Sequence, residues 1–426
     1  MRNKAIFLAI AIPVCMLLAA FVYYLPPVHD RLAWRIDAFQ ARIQYAINPP
    51  EEVVFVPGAQ PTDSGVIPAT ATVTPSPSAT ATLPGPTPTL APSLTPTISP
   101  TPIPASANLD GIIHEYQKWN NCGPANLSMA LSFWKWPGNQ LDTAAYMKPN
   151  PRDKNVMPYE MEAFVEENTD LQAIVRVGGD LALLKQFIAA GFPVIVEKGF
   201  EGPNFDGWMG HYEVVNGYDD ARGRFTVQDS YIMANLPIPY EDMEKNWRAF
   251  NNTYIVIYPP DREAEVLAIL GPQADETTNY QSAAQKASDE IYSLTGRDQY
   301  FAWYNRGTNL VHLQDYAGAA NAYDEAFNLY QTIPEKERPW RMLWYQTGPY
   351  FAYYYSGRTY DVLGLADTTL TTANEPAIEE SWYWRAMAKA ALGDIDGAIA
   401  DYRTSLEWHP EFAPTLTQLQ LLGVEP

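Results

Sequence analysis

The chain has 426 residues, a hydrophobic share of 47% and a formal net charge of −21, enough length for two or three domains. An acidic surface of this size repels phosphate backbones, so no nucleic-acid partner is expected. The two cysteines, Cys15 and Cys122, supply no disulfide framework.

Arg2 and Lys4 precede residues 5–25, an uncharged and mostly apolar run of bilayer-spanning length. Positive residues on the short side favour a cytoplasmic N-terminus. Residues 1–25 therefore read as an uncleaved transmembrane anchor, single-pass in the cell membrane, with everything after it extracytoplasmic. A cleaved signal peptide is the rival reading and leaves the later chain on the same side. Within a juxtamembrane stretch, 26–56, the residues Leu32, Ile36, Phe39, Ile43 and Ile47 recur every three to four positions, which predicts an amphipathic helix over 30–47. Residues 57–107 change to Thr-Pro-Ser-Ala repeats. Such a segment buries no core and reads as an extended linker, a stalk on the order of 100 Å if fully stretched.

Residues 108–260 predict one α+β unit. Helices are expected over 123–136, over 158–168, and over 181–190, the last capped by Asp180 and closed by Gly191. Strands are expected at 193–196, 212–218, 224–229 and 253–258, so helices come first and an antiparallel sheet follows. From 261 to 426 the chain turns helical. Trp303, Gly307, Leu310, Ala319, Tyr323 and Ala326 fall at the spacing of a tetratricopeptide repeat, and Trp382, Ala386, Lys389, Ala398, Tyr402, Ser405 and Pro410 repeat that spacing 79 residues later. Trp344, Gly348, Phe351 and Tyr360 suggest a degenerate middle copy. Small residues at a helix crossing and aromatics beside it suit a solenoid.

The chemistry centres on Cys122, in the run Asn-Asn-Cys-Gly-Pro-Ala-Asn from 120 to 126. Pro124 marks a helix start. A thiol there faces unpaired N–H groups and the positive end of the dipole, which favour the nucleophilic thiolate. Such a nucleophile needs a base. Of the five histidines, His29, His312 and His409 fall outside this unit and His114 lies on a lead-in segment, whereas His211 opens a strand after a Gly-rich loop. Positions 211 and 229 are symmetric about the turn at 220, so a hairpin would set Asp229 opposite His211 and let its carboxylate hold the ring. Asp219 and Asp220 read as turn formers. The Cys122 N–H and the Gln117 side chain are candidate oxyanion donors; an exposed polar role for Gln117 fits the sequence equally well. With no close Cys/His cluster, neither a metal nor a cofactor is expected.

These residues carry a resemblance. Gln117 to Ala125, then Gly210 to Tyr218 (Gly-His-Tyr-Glu-Val-Val-Asn-Gly-Tyr), then Asp229, resemble the papain-like cysteine peptidases of the bacteriocin-processing class, most closely the stand-alone peptidase C39-like branch. The resemblance covers 108–260. It implies Cys122 as nucleophile, His211 as base, Asp229 as orienter and Gln117 in the oxyanion hole. Two features depart from the pattern. The chain has no Gly-x4-Gly-Lys-Ser/Thr loop of an exporter ATPase, and Ser230 stands where the family aspartate is often followed by proline. The expected protein is a membrane-anchored extracytoplasmic cysteine peptidase acting on a peptide or protein substrate, with a solenoid for substrate or a protein partner. A catalytically silent scaffold, and an acyl or amide transferase on the same triad, are the alternatives.

Overall fold

The computed structural model describes residues 103–426 except 151, 202–206 and 374, together with 54–58 and a few positions nearer the N-terminus. The expected anchor lies outside the described residues apart from Val22, Tyr23 and Tyr24, and no described helix is long and apolar enough to cross a membrane. The linker over 59–102 lies outside them too. Of the expected amphipathic helix only Ile36, Phe39 and Ile43 are described; all three are helical and exposed.

The first body is built on a seven-stranded antiparallel sheet, ordered β2-β7-β3-β4-β5-β6. The strands are β1 (Ser106–Asn108), β2 (Gln172–Arg176), β3 (Val194–Phe200), β4 (Met209–Asp219), β5 (Arg224–Gln228), β6 (Leu236–Pro239) and β7 (Tyr254–Tyr258). β4 is long enough to pair with β3 over its first part and with β1 near its end, on the side away from β5. Helices α1 (Cys122–Phe133), α2 (Gln140–Met147) and α3 (Pro158–Asn168) precede β2. Next come α4 (Leu181–Ala189) and, after β6, α5 (Tyr240–Arg248). Strand alternation sends Ile195, Tyr212, Val214, Ile255 and Ile257 towards α1 and α3, and Val194, Val196, Val215 and Val256 towards α4 and α5. Helices therefore cover both faces, which is why β4 is buried from Gly210 to Tyr218. Local chemistry sets the helix ends. Asp180 accepts the Leu183 N–H at 2.7 Å, and Gly191 at φ +88° turns the chain out of α4.

The second body is helical, from α6 (Glu263–Leu270) and α7 (Glu276–Ser293) onward. Three helix pairs follow: α8 and α9 (Gly296–His312, Tyr316–Tyr330), α10 and α11 (Gly348–Tyr355, Thr359–Thr372), and α12 and α13 (Glu379–Ala391, Ile395–Trp408). Helix α14 (Ala413–Leu421) closes the stack through Leu419. The first and third pairs share one device at the turn. Asp315 accepts the Gly318 N–H at 2.9 Å, and Asp394 accepts the Gly397 N–H at 3.0 Å. At the first crossing Gly307 is obligatory for packing, since a Cβ there would lie 2.8 Å from the Tyr323 ring.

The two bodies share a core. Trp208, Ala249 and Phe250 pack with Tyr300, Phe301 and Tyr304, and Asn251 and Asn309 exchange amide hydrogen bonds at 2.6 and 3.1 Å. The solenoid also holds a short piece from before the linker. Phe55 sits edge-on to Phe327, centroids 5.1 Å apart, and the Gly58 N–H donates to Asp361 at 2.7 Å.

Candidate active site

Cys122 is the first residue of α1, as the Gly-Pro signal predicts. Asn120 adopts φ +53°, a left-handed turn that asparagine tolerates, and redirects the chain into the helix. Gly123 follows because a Cβ there would come within 3.0 Å of Val156 and Met161. The thiol stays half-buried while His211 and Asp229 are buried.

His211 lies on β4 opposite Lys198 of β3, and its ring stacks on Phe200 with centroids 4.5 Å apart. Its Nε2 stands 3.3 Å from Asp229 Oδ1, which leaves Nδ1 for the thiol, to which the ring hydrogen-bonds. The expected pairing therefore forms, though not by the expected register. β4 and β5 pair Val214 with Gln228, then shift by one residue between Val215 and Gly217. Continuation of that ladder sets Asp229 against Glu213, so it reaches His211 on the diagonal just past the end of β5. The turn centre is displaced from position 220, and side-chain length makes up the difference.

Electrostatics agree with the geometry. Burial alone would push the Cys122 thiol up, but the hydrogen bond and charge of His211, then the charge of Lys148, bring it below its usual value. Burial works against protonated His211 as well, yet Asp229 and the thiolate raise it to about 9. Asp229 is held down at about 2 in spite of burial, mainly by His211. Both shifts run toward a thiolate–imidazolium pair. Beneath the ring, Lys198 and Glu213 form a buried ion pair at 2.6 Å.

Gln117 is present and oriented. Its Oε1 accepts from the Ser230 hydroxyl at 2.8 Å, and its backbone N–H donates to Ser230 O at 2.8 Å. Ser230, the departure from the family pattern, thus fixes the glutamine amide with its nitrogen directed elsewhere. His114 also joins the site, its Nε2 3.0 Å from the Asp229 carbonyl oxygen.

Two participants escape sequence reasoning. The Asn126 amide nitrogen lies 2.7 Å from Tyr212 O, 2.9 Å from Cys122 O and 3.0 Å from Ser230 Oγ, tying the nucleophile helix to the base strand and to the residue after the acid. Its position one turn after the thiol on α1 was the available signal. Lys148, at the end of α2, donates to Asn120 O at 2.8 Å, and nothing in its sequence context points to the thiol. The helical body braces the site: Arg341 donates to Trp208 O at 2.7 Å, and Tyr345, with Phe250 of the first body, packs so close to Gly210 that a Cβ would meet them at 3.0 and 2.6 Å.

Residues 109–255 match the family described as Peptidase_C39 like family, and residues 379–412 match a tetratricopeptide repeat. Among solved structures, a C39-like peptidase from Bacillus anthracis aligns at 16% identity and a TM-score of 0.30, covering 36% of this chain and 96% of that one. Comparison with the curated proteins gives no match. The chain thus carries a C39-like peptidase domain and a tetratricopeptide repeat, as the sequence motifs predict.

Proposed function

We propose that this protein is a cysteine peptidase acting on peptide or protein substrates. The observation that carries the reading is a half-buried thiol held below its ordinary range by a histidine that a buried aspartate steadies at 3.3 Å. The Cys122 thiolate attacks the scissile carbonyl carbon. The new oxyanion takes hydrogen bonds from the Cys122 N–H, in the first turn of α1 where no helical acceptor exists, and from the Gln117 amide. His211 gives its proton to the leaving amine as the C–N bond breaks, leaving a thioester. It then takes a proton from water, whose oxygen attacks the thioester and frees Cys122 as thiolate. Asp229 keeps its charge and holds the ring. The repeats present a substrate or a protein partner to the site, and residues 1–25 anchor the chain in the membrane with this body outside the cytoplasm.

Iodoacetamide labelling followed by peptide digestion tests the nucleophile. Rapid alkylation of Cys122 well below pH 8, with peptide hydrolysis abolished in Cys122→Ala, is the expected result. Labelling that rises only near an ordinary thiol pKa of about 8.5, or turnover that survives in Cys122→Ala, removes the assignment. Diversion of the acyl group onto an added amine in preference to water moves the reaction to acyl transfer.

A further inference from the structure

Where the peptidase body meets the last repeat, the fold gathers charge from three distant parts of the chain. Asp153 comes from the segment before α3, Glu379 opens α12 and His409 follows α13. One donor atom from each lies within 4.8 Å of the others, and the three residues are only 2%, 3% and 9% exposed. His409 Nδ1 stands 3.0 Å from Glu379 Oε1, while Glu379 Oε2 is buried with no hydrogen-bond partner. The backbones are already joined here, since the Lys154 N–H donates to Ala377 O at 3.3 Å.

Glu160 and Glu380 act electrostatically on the same cluster, which gathers four carboxyl groups, with Lys148 and Lys154 opposing them. Ionising carboxyls side by side in a buried site costs several kcal/mol per ion, and a divalent cation bound between Asp153 and Glu379 offsets that cost.

We propose that Asp153, Glu379 and His409 bind a divalent transition-metal ion, zinc by donor set, which clamps the last repeat to the peptidase body. One imidazole with two carboxylates suits zinc better than magnesium or calcium, which take oxygen donors. The orphaned Glu379 oxygen becomes a ligand, and the metal takes over the contact that a proton now makes between His409 and Glu379. Zinc bonds of about 2.0–2.2 Å draw the donors inward by an ångström or so, within the reach of small side-chain rotations. Sequence spacing hides such a site, because Asp153 stands more than 200 positions before Glu379 and His409.

The test uses the full chain carrying Cys122→Ala, which removes the thiol as a competing ligand. Protein from zinc-supplemented medium is analysed by plasma mass spectrometry and thermal melting, before and after chelation. The expected result is about one zinc per chain, a melting temperature that falls by several degrees on chelation, and loss of both in Glu379→Gln and Asp153→Asn. X-ray absorption of the parent should show a shell of oxygen with one imidazole, a readout that stands whether or not the variants fold. A parent without zinc, zinc content unchanged in both variants, or a shell with several imidazoles overturns the proposal.

Discussion

Asp229→Asn separates a working triad from a merely preserved fold. Asp229 Oδ1 accepts the Tyr231 and Ile232 N–H groups at 2.7 and 2.8 Å as well as facing His211. Asparagine keeps an oxygen for those turn donors, so the loop should survive while the charge is lost. Burial lowers His211, and Asp229 leads the causes that nonetheless raise it from 6.5 to about 9. That rise of about 2.5 pH units corresponds to ~3 kcal/mol at about 1.4 kcal/mol per unit. Burial is already offset within that net figure and Cys122 supplies part of the gross rise, so loss of the Asp229 charge removes on the order of 2 kcal/mol or more. Without it His211 titrates near or below pH 7, and at pH 7.5 the imidazolium share drops by severalfold to about tenfold. Lost ring orientation multiplies that effect, giving a fall in kcat of roughly 10²–10³. Two assays report on the same variant: kcat for a quenched fluorescent peptide, and the iodoacetamide rate from pH 5 to 10. The thiolate step should move up, and the alkaline limb near pH 9 should move down. Superimposable profiles for parent and variant would refute the reasoning and assign the orientation of His211 to another group.

Lys148→Met should raise the Cys122 pKa by up to about one unit, since one charge in a partly buried site acts on that scale. Thiolate absorbance at 240 nm reads this, and unchanged titration rules Lys148 out. Stability should depend on pH through the triad. His211 is raised in the fold, so its contribution is complete below its unfolded value of 6.5 and is lost as pH climbs through about 9. Asp229 is depressed, so its contribution is present above 3.8 and lost as pH falls through about 2. The lowered thiol of Cys122 acts in the opposite sense over this window, so the comparison is made in Cys122→Ala, where melting temperatures between pH 7 and 10 should decline less once Asp229→Asn is added; parallel curves contradict the linkage. Gly307→Ala forces a methyl against a buried ring at 2.8 Å. Overpacking of about 1–3 kcal/mol outweighs a helix-propensity gain of up to about 1 kcal/mol, so the urea midpoint should fall; an unchanged midpoint means that the crossing is looser than its geometry.

Strong local signals were legible. Pro158–Asn168 is a helix with the predicted bounds, because Pro158 begins it and the Glu160 carboxylate accepts the Met157 N–H. Asp180 and Gly191 bracket α4 as expected, although α1 stops at Phe133, short of the predicted end. Elements made by tertiary pairing were not legible. β1 is three residues held by β4, and β2 is an edge strand whose partner β7 lies some eighty residues later. At the site, residue types and their order were readable, because chemistry restricts them. The register was not, since the shift between Val215 and Gly217 leaves no mark in a simple count. Asn126 and Lys148 act through backbone carbonyl groups and through space, and no motif encodes either relation.

The lodging of Phe55 and Gly58 on the solenoid changes the geography of the whole chain. The far end of the proline-rich stretch is also fastened, by Tyr218 to Pro104 O at 2.6 Å and by the Asp220 N–H to Ala105 O at 2.9 Å. Both ends of that stretch are thus fastened to the folded part of the chain, the near end to the repeats and the far end to the first body. Doubling the length of the stretch would cost only about 0.6 kcal/mol in closure entropy and would leave the distance between Phe55 and Cys122 as it is. Any pull applied ahead of residue 54 reaches the repeats before it reaches the first body.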